Sequence, residues 1–243
     1  MSAITVIITG AANGIGRALV QRCLDDGSTV VACDIDRTGL ELLKGQHRGR
    51  PLNVHWCDVG IYTACEAFMD TVLADHPDVD GLVNNAGLYL GQPVWDYDDA
   101  AMDRVIAVNV KGPVWLSRRF AEHVLKRGQG GAIVNLASVA GEVGSSDAIY
   151  GLVKAGVIGL TKSNAMNFAP SVRVNVVSPG LIVDTGIAGL IPKYRYDEYK
   201  RQERLDGDIL PRNVAAVCSF LLSDDARNMT GAILPVDNGC YPR

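Results

Sequence analysis

Near its start the chain reads "ITVIITGAANGIGRALVQRCLDD" (residues 4–26), an apolar run followed by a glycine-rich turn and a helical pattern. Residues 4–9 are all β-branched, which is typical of a buried strand. The turn "TGAANGIG" has glycines at positions 10, 14 and 16. Glycine permits a tight turn and close approach of a pyrophosphate, and a helix N-terminus favours negative charge. The stretch predicts a strand-loop-helix unit that binds phosphate, although such a turn can also simply pack a helix on a strand.

The same alternation of short apolar runs and longer helical patterns continues to the end of the chain. Candidate strands are 4–9, 28–33, 53–58, 81–85, 131–138, 172–179 and 232–237. Candidate helices are 15–26, 62–75, 98–127, 148–168 and 212–223. Nearly continuous apolar strands that alternate with helices indicate a parallel sheet covered on both faces. The sequence predicts an α/β fold with a doubly wound, seven-stranded, Rossmann-type sheet in a single domain over residues 1–243.

Composition and charge exclude several classes of protein. The 243 residues carry a net charge of −4 with scattered basic residues, so no nucleic-acid-binding surface is expected. No apolar run approaches the roughly 20 residues of a membrane helix, and the start lacks the features of a signal peptide. Six separated cysteines indicate reduced, mostly buried thiols, and four histidines show no metal-ligand spacing. We therefore expect a cytoplasmic protein with neither a metal site nor a membrane partner.

An acidic residue follows the second candidate strand at the distance expected in a dinucleotide site. Asp34 lies 18 residues beyond Gly16, and a carboxylate about 20 residues on accepts hydrogen bonds from the adenosine ribose. The same charge would repel a 2′-phosphate, and the loop residues 11–13 are not basic. Arg17 and Arg37 are near in sequence but not obviously placed to bind such a phosphate. NAD(H) rather than NADP(H) is the predicted cofactor, and a carboxylate that merely ends a strand is the alternative.

Two tyrosine-lysine pairs have the spacing that puts both side chains on one face of a helix. They are Tyr150 with Lys154, and Tyr196 with Lys200. Tyr150 follows a strand that ends at Ser138, whereas Tyr196 lies in a charged insertion. A nearby ammonium is expected to lower the phenol pKa, which is about 10 in free tyrosine. Tyr150 is therefore predicted to be the general base in alcohol oxidation and the general acid in ketone reduction.

The ordered motifs resemble those of the short-chain dehydrogenase/reductase family over nearly the whole chain. They are "TGAANGIG", Asp34, Asp58-Val59, "NNAG" (84–87), Asn109, Ser138, Tyr150 with Lys154, and "SPG" (178–180). The resemblance implies catalytic roles for Asn109, Ser138, Tyr150 and Lys154, with Asn109 anchoring a water. It also implies the strand order 3-2-1-4-5-6-7 and a homotetramer, with a homodimer as the alternative. The implied cofactor-binding residues are Gly10, Asn13, Gly14, Ile15, Gly16, Asp34, Asp58, Val59, Asn85, Ala86, Gly87, Tyr150, Lys154, Pro179, Gly180, Ile182 and Thr185.

The chain departs from the family pattern in several places. Ser138 and Tyr150 are 12 positions apart, one fewer than usual, and Thr185 stands one position later than usual. Gly151 and Val153 replace small polar residues, and "VDNG" replaces the more frequent Asp-Gly-Gly. No catalytic group is lost. The departures bear on the substrate pocket and on the nicotinamide end of the cofactor site.

Residues at predicted strand ends are expected to meet at one edge of the sheet. Ligands bind at that edge in parallel α/β sheets, and the residues concerned are Gly10, Asp34, Asp58, Asn84, Ser138 and Pro179. The charged insertion 186–210 is expected to be a lid over this site, or else a solvated helix. An apolar pocket wall is expected from Leu88, Leu90, Trp95, Leu181 and Leu190. Lys193 and Arg195 could contact an anionic substrate or simply face solvent.

The predicted activity is hydride transfer between NAD(H) and a small-molecule secondary alcohol or its ketone. A dinucleotide-sensing regulatory protein on the same fold is the first alternative, but it would be expected to lack the tyrosine or the lysine. A lyase or epimerase that uses NAD transiently is the second. With 243 residues, the chain has little room for the extra substrate domain of such enzymes.

Overall fold

The computed structural model of the chain describes residues 3–186 and 188–241. Within them, seven parallel strands form one sheet in the order β3-β2-β1-β4-β5-β6-β7. The strands are β1 Thr5–Thr9, β2 Thr29–Asp34, β3 Leu52–Trp56, β4 Gly81–Asn84, β5 Gly131–Leu136, β6 Val172–Pro179 and β7 Ile233–Val236. This arrangement confirms the predicted fold class and the strand order that the resemblance implied.

Helices connect the strands and lie on both faces of the sheet. They are α1 Gly14–Asp25, α2 Arg37–Gln46, α3 Tyr62–Asp75, α4 Asp99–Ile106, α5 Gly112–Arg127, α6 Ala140–Val143, α7 Ala148–Asn167, α8 Lys193–Gln202 and α9 Pro211–Leu222. The predicted helical stretch 98–127 is helical from Asp99 to Arg127, with a π-helical turn, Ala107–Lys111, between α4 and α5. The charged insertion does contain a helix, α8. Ile187 of the predicted lid lies outside the described residues.

The core consists of two apolar layers, one on each face of the sheet. Val6 and Ile8 of β1 pack into one layer with α1 and α9, whereas Ile7 packs into the other with α3 and α5. All three side chains are fully buried. A strand buried on both faces needs apolar residues at consecutive positions, which explains the continuous apolar runs.

Asn84, expected at the ligand edge of the sheet, instead points into the protein interior. Its Nδ2 donates to Ser117 Oγ at 3.0 Å and to Asn135 Oδ1 at 2.8 Å, and Asn135 Nδ2 donates to Thr161 Oγ1 at 2.9 Å. Side chains alternate across a strand, so Asn84 and Asn85 point in different directions. β4 does end at Asn84 as expected, but the neighbouring Asn85 is the residue that lines the cavity at this edge.

All six cysteines are buried and none is in a disulfide. No helix within residues 3–186 or 188–241 is long and apolar enough to cross a bilayer. Over the same residues, no three histidine, cysteine, aspartate or glutamate side chains gather into a metal-binding group.

Candidate active site

A cavity of about 510 Å³ lies along the carboxyl edge of the sheet, within the size range of ligand sites. It extends from Asp34, at the end of β2, to Arg195 on α8. Of the residues predicted from the sequence, it brings together Gly10, Asn13, Gly14, Ile15, Asp34, Asp58, Val59, Asn85, Ala86, Gly87, Ser138, Tyr150, Lys154, Pro179, Gly180, Ile182 and Thr185. Gly16 and Asn109 do not line it and lie behind its wall.

The glycine loop at one end of the cavity has a backbone that requires glycine. Gly10 and Gly14 have φ angles of +64° and +51°, in the left-handed region that favours glycine. Asn85 Nδ2 holds the loop by donating to Thr9 O and Gly10 O, both at 2.9 Å. A side chain at Gly16 would collide with the Gly10 carbonyl, so Gly16 permits close packing of α1 on the loop. The loop and the N-terminus of α1 together fit a dinucleotide pyrophosphate.

Asp34 presents its carboxylate to the cavity next to the glycine loop. Its Oδ2 accepts a hydrogen bond from Ala12 N and its Oδ1 accepts one from Asp36 N, each at 2.9 Å. An ionised carboxylate has about four acceptor sites, so two acceptor positions remain for ribose hydroxyls. This geometry fits the adenosine ribose of a dinucleotide.

Asp58 has a partner that was not expected from the sequence. Its Oδ2 accepts from Arg104 Nη2 at 2.9 Å and its Oδ1 accepts from Gly60 N at 2.9 Å. Arg104 and Val59 also line the cavity. Asp58, to which the family resemblance assigns cofactor binding, would therefore use the lone pairs that Arg104 and Gly60 leave free.

The N-terminus of α7 positions Tyr150 through a buried aspartate. Asp147, 1% exposed, caps the helix, and its Oδ1 accepts from Tyr150 N at 2.9 Å. The same carboxylate accepts from Tyr97 OH at 2.9 Å and from Gly91 N at 3.0 Å. Asp147 therefore joins three segments of chain around the substrate side of the cavity. An aspartate just before an apolar helix is an ordinary N-cap signal that sequence reasoning could have used.

Ser138, Tyr150 and Lys154 lie together on one wall of the cavity. Ser138 Oγ donates to Pro179 O at 3.4 Å and accepts from Ala140 N at 3.2 Å. Lys154 is 4% exposed, and its Nζ donates to Leu136 O at 2.9 Å and lies 5.5 Å from the Tyr150 ring centroid. The ring of Tyr89 packs edge-on against Tyr150, with the ring centroids 4.9 Å apart.

Burial shifts both titrating groups of this wall towards their neutral forms. It raises the pKa of Tyr150 above its ordinary value, with nearby Tyr89 adding to the rise and nearby Ser138 opposing it. Burial lowers the pKa of Lys154 to about 8. The expected net lowering of the Tyr150 pKa was therefore wrong for the protein alone, because desolvation outweighs the other influences.

Asn109 lies behind the cavity wall in the π-helical turn and is 1% exposed. Its Nδ2 donates to Leu88 O and Val105 O, both at 2.9 Å. Its Oδ1 is buried and has no hydrogen-bond partner among the described residues. A methyl group on Gly87 would lie 3.1 Å from Asn109 Oδ1 and 3.5 Å from Lys154 Nζ. An acceptor and a donor that flank one small space suit a bridging water.

Thr185 closes the cavity from the segment after β6. Its Cγ2 would lie 3.3 Å from a methyl group on Gly14, so the threonine approaches the glycine loop from the opposite side. Thr185 Oγ1 donates to Ile182 O at 3.1 Å, and Ile182 forms an isolated bridge with Ile209. The late position of Thr185 in the sequence does not remove it from the cavity.

The second tyrosine-lysine pair lies outside the cavity. Lys200 Nζ donates to Glu203 Oε2 at 2.6 Å and to Asp208 Oδ1 at 3.2 Å, and neither Tyr196 nor Lys200 lines the site. The expected apolar wall is only partly present. Leu88, Leu181 and Leu190 line the cavity, whereas Leu90 does not and Trp95 is 81% exposed. The expectations for Leu90 and Trp95 were wrong, because Leu90 packs instead against the buried apolar cluster that contains Val105 and Ile149, and Trp95 faces solvent.

Known proteins share this whole architecture. A family model described as enoyl-(acyl carrier protein) reductase matches residues 10–241. Meso-2,3-butanediol dehydrogenase of Serratia marcescens is 36% identical over 241 residues, which cover 96% of this chain and 93% of that protein. A solved short-chain dehydrogenase/reductase from Brucella melitensis superposes with a TM-score of 0.89 at 30% identity, covering 99% of this chain and 97% of that one. This chain belongs to the short-chain dehydrogenase/reductase family.

The comparison also bears on the cofactor of this short-chain dehydrogenase/reductase. A 4-hydroxyisoleucine dehydrogenase solved with NADH superposes with a TM-score of 0.90 at 32% identity, covering 98% of both chains. The relatives named here are dehydrogenases or reductases, so the chain is an oxidoreductase. A nicotinamide dinucleotide is the cofactor that the glycine loop and Asp34 fit.

Tyr89 and Tyr199 line the substrate end of the cavity, and they lie in the segments 88–95 and 181–200 that the sequence predicts to line the pocket. Sequence reasoning missed Arg104, which holds Asp58. No local pattern marks this arginine, because it reaches the cavity only through the packing of α4. Asp147 alone had a local signal, its position just before α7.

Proposed function

We propose that this oxidoreductase transfers a hydride between NAD(H) and a secondary alcohol or its ketone, with Tyr150 as the general acid and base. The observation that carries the proposal is one cavity that has Ser138, Tyr150 and Lys154 on a wall and the glycine loop with Asp34 at its end. The relatives' names support the reaction class, since they include an alcohol dehydrogenase of butanediol and a dehydrogenase solved with NADH.

The nicotinamide ring supplies the hydride acceptor or donor when the cofactor is bound. Ser138 holds the substrate oxygen beside the Tyr150 hydroxyl. In ketone reduction, Tyr150 gives its proton to the oxygen, and its raised pKa keeps that proton available at neutral pH. In alcohol oxidation, Tyr150 takes the hydroxyl proton, and the nearby Lys154 ammonium stabilises the phenolate. Asn109 Oδ1 would hold a water next to Lys154 through which the proton reaches solvent.

The surroundings of Asp34 support NAD(H) over NADP(H). A 2′-phosphate would meet the Asp34 carboxylate, and the two nearby arginines are engaged elsewhere. Arg17 Nη2 donates to Gln46 Oε1 at 2.6 Å, and the Arg37 guanidinium lies 4.7 Å from the centroid of a Trp56 ring. Neither arginine lines the cavity. Among the described residues that line the cavity around Asp34, none is a lysine or arginine that could neutralise the charge of a 2′-phosphate.

A panel of secondary alcohols and ketones, followed by NADH absorbance and repeated with NADP(H), tests the proposal. We expect turnover of at least one pair with NAD(H), at a kcat/KM at least about tenfold above that with NADP(H) because of like-charge repulsion. Binding of NADH without turnover of any alcohol or ketone would overturn the catalytic role. It would favour a dinucleotide-sensing protein instead.

Asp34→Asn should weaken NAD selectivity. The substitution keeps an acceptor oxygen but removes the charge, so KM for NAD should rise about tenfold for a lost charge-assisted hydrogen bond. KM for NADP should fall, since the repulsion disappears. The matched control is Asp36→Asn, which removes a charge two residues away while keeping a good N-cap for α2. Unchanged cofactor preference in Asp34→Asn would remove the proposed role of Asp34.

We also propose that the enzyme is a homotetramer or homodimer. Apolar side chains remain exposed on the outer helices, including Leu152 at 59% and Met166 at 81% on α7. Light scattering tests the assembly directly. A monomer at micromolar concentration would contradict it.

A further inference from the structure

The substrate end of the cavity is lined by one arginine, two tyrosines and several leucines. Past Ser138 and Tyr150, the cavity is bounded by Arg195 and Tyr199 of α8 and by Tyr89. Burial raises the pKa of both tyrosines, and the positive charge of Arg195 opposes that rise. Tyr89 in turn packs against Tyr150, which links this cluster directly to the reacting hydroxyl.

The other charges around the cavity already have roles. Among the described residues that line it, the charged ones are Asp34, Asp58, Arg104, Lys154 and Arg195. Asp34 lies at the ribose position, Asp58 and Arg104 are paired with each other, and Lys154 lies beside Tyr150. Of the described lining residues, Arg195 is the charged one at the substrate end, and its ion-pair partner Glu198 does not line the cavity.

The guanidinium of Arg195 keeps donors available for a ligand. Nη1 donates to Glu198 Oε2 at 2.7 Å, and the guanidinium carbon lies 5.6 Å from the Tyr194 ring centroid. Nε is buried and has no hydrogen-bond partner within the described part of the chain. A buried donor without an acceptor is unfavourable, so an acceptor supplied by the substrate would be favourable there. The pair with Glu198 is partly exposed, 36% and 42%, and such pairs exchange partners easily.

The neighbouring phenols add neutral hydrogen-bond donors. Burial raises the pKa of Tyr89 and of Tyr199, so both hydroxyls stay protonated at neutral pH. Leu88, Leu181 and Leu190 provide the apolar remainder of the wall. A single cation with two hydroxyl donors on an apolar wall suits a singly charged, planar anion with a hydrocarbon body.

We propose that the substrate is a hydroxy acid or the corresponding keto acid, whose carboxylate is bound by Arg195 while its carbinol carbon lies against Ser138 and Tyr150. This inference rests on the proposed function. In oxidation, the carbinol hydrogen leaves as a hydride to the oxidised cofactor and the hydroxyl proton goes to Tyr150. The carbon-oxygen double bond forms, and the carboxylate is unchanged.

The test is a panel of hydroxy acids with increasing separation between the hydroxyl and the carboxylate, each paired with its neutral amide. Rates with NAD are measured for both members of each pair. At least one acid should have a kcat/KM about ten- to a hundredfold above that of its amide, as expected for a charge-assisted hydrogen bond. Amides turned over as well as acids would overturn the inference but leave the proposed function intact. No turnover of any member by protein that binds NADH would overturn both.

Three variants test whether Arg195 causes the preference for the acid over its amide. Arg195→Gln should raise KM for the acid about ten- to a hundredfold and change KM for the amide less than about threefold. KM for the acid in Arg195→Lys should lie between those of the wild type and Arg195→Gln. Lysine keeps the positive charge but loses the planar guanidinium that binds a carboxylate through two hydrogen bonds. Glu198→Gln should lower KM for the acid, since it removes the competing carboxylate.

The matched control is Lys193→Gln on the same helix. Lys193 is 85% exposed and pairs with Asp197, so kinetics with the acid should stay at the wild-type value. Thermal unfolding and the NADH dissociation constant are measured for every variant. A rise in the NADH dissociation constant of Arg195→Gln without a rise in KM for the acid would place Arg195 in the cofactor site and overturn the inference.

Discussion

Tyr150→Phe should lower kcat by about a hundredfold to ten-thousandfold in both directions, the range for loss of a general acid or base. Phenylalanine keeps the ring that packs edge-on against Tyr89 and removes only the hydroxyl. The fold should therefore persist, and the NADH dissociation constant, measured by fluorescence titration, should change less than about threefold because the hydroxyl is a small part of the cofactor site. Initial rates with the best alcohol of the panel give the effect.

The chain supplies its own control for this experiment. Tyr196 has the same spacing to a lysine but lies outside the cavity, and Lys200 is held by Glu203 and Asp208. Tyr196→Phe should keep wild-type kcat. Retained turnover in Tyr150→Phe, or an equal loss in both variants, would remove Tyr150 from the proposed mechanism.

Lys154→Met should abolish most activity and at the same time stabilise the fold. Burial lowers the pKa of Lys154 from 10.5 to about 8, so the folded protein holds the ammonium at a cost when the pH is neutral. One pKa unit corresponds to about 1.4 kcal/mol, and loss of the hydrogen bond to Leu136 O offsets part of the gain. We expect the free energy of unfolding to rise by about 2 kcal/mol at neutral pH.

The pH dependence of stability shows whether Lys154→Met is stabilised by loss of the buried ammonium or by better packing of the methionine side chain. Below about pH 8, Lys154 is protonated in both the folded and the unfolded protein, and the full free-energy cost of burying the ammonium is present. Between about pH 8 and pH 10.5, the folded state releases the proton while the unfolded state keeps it, so wild-type stability gains from rising pH. This gain should be missing from Lys154→Met.

Denaturant unfolding across that pH range measures the difference between the two proteins. Lys162→Met, an exposed lysine of the same helix, is the matched control and should keep the wild-type pH dependence. A Lys154→Met protein that is less stable at neutral pH, or that keeps the wild-type pH dependence, would refute this account of the buried ammonium.

The sequence allowed the sheet to be predicted because each strand carries its own local signal. Strands such as β1 and β2 have continuous apolar runs at their centres, as expected for strands covered on both faces. The glycine loop and Asp34 could also be predicted from local sequence, because dinucleotide sites keep a nearly fixed spacing between these two features along the chain. The site residues assigned to them stay predictions until the cofactor and the variants are measured.

Features that depend on packing between distant segments could not be predicted in this way. The π-helical turn that buries Asn109 interrupts a helical pattern without any glycine or proline inside it. Asn84 and Asn85 are adjacent and chemically identical, and only the register of β4 decides which one reaches the cavity. The direction of the Tyr150 pKa shift depends on how much water the fold removes, which no spacing of residues reveals.

The carboxylate of Asp147 has a consequence for how the substrate range of this enzyme can evolve. This buried carboxylate accepts hydrogen bonds from Gly91 N, from the Tyr97 hydroxyl and from Tyr150 N in the first turn of α7. Changes in that loop would therefore disturb the reacting tyrosine as well. On the opposite wall, α8 carries exposed ion pairs within the helix itself, such as Lys193–Asp197. New specificities in this lineage, and in laboratory libraries, should accumulate on α8 while residues 91–97 stay fixed.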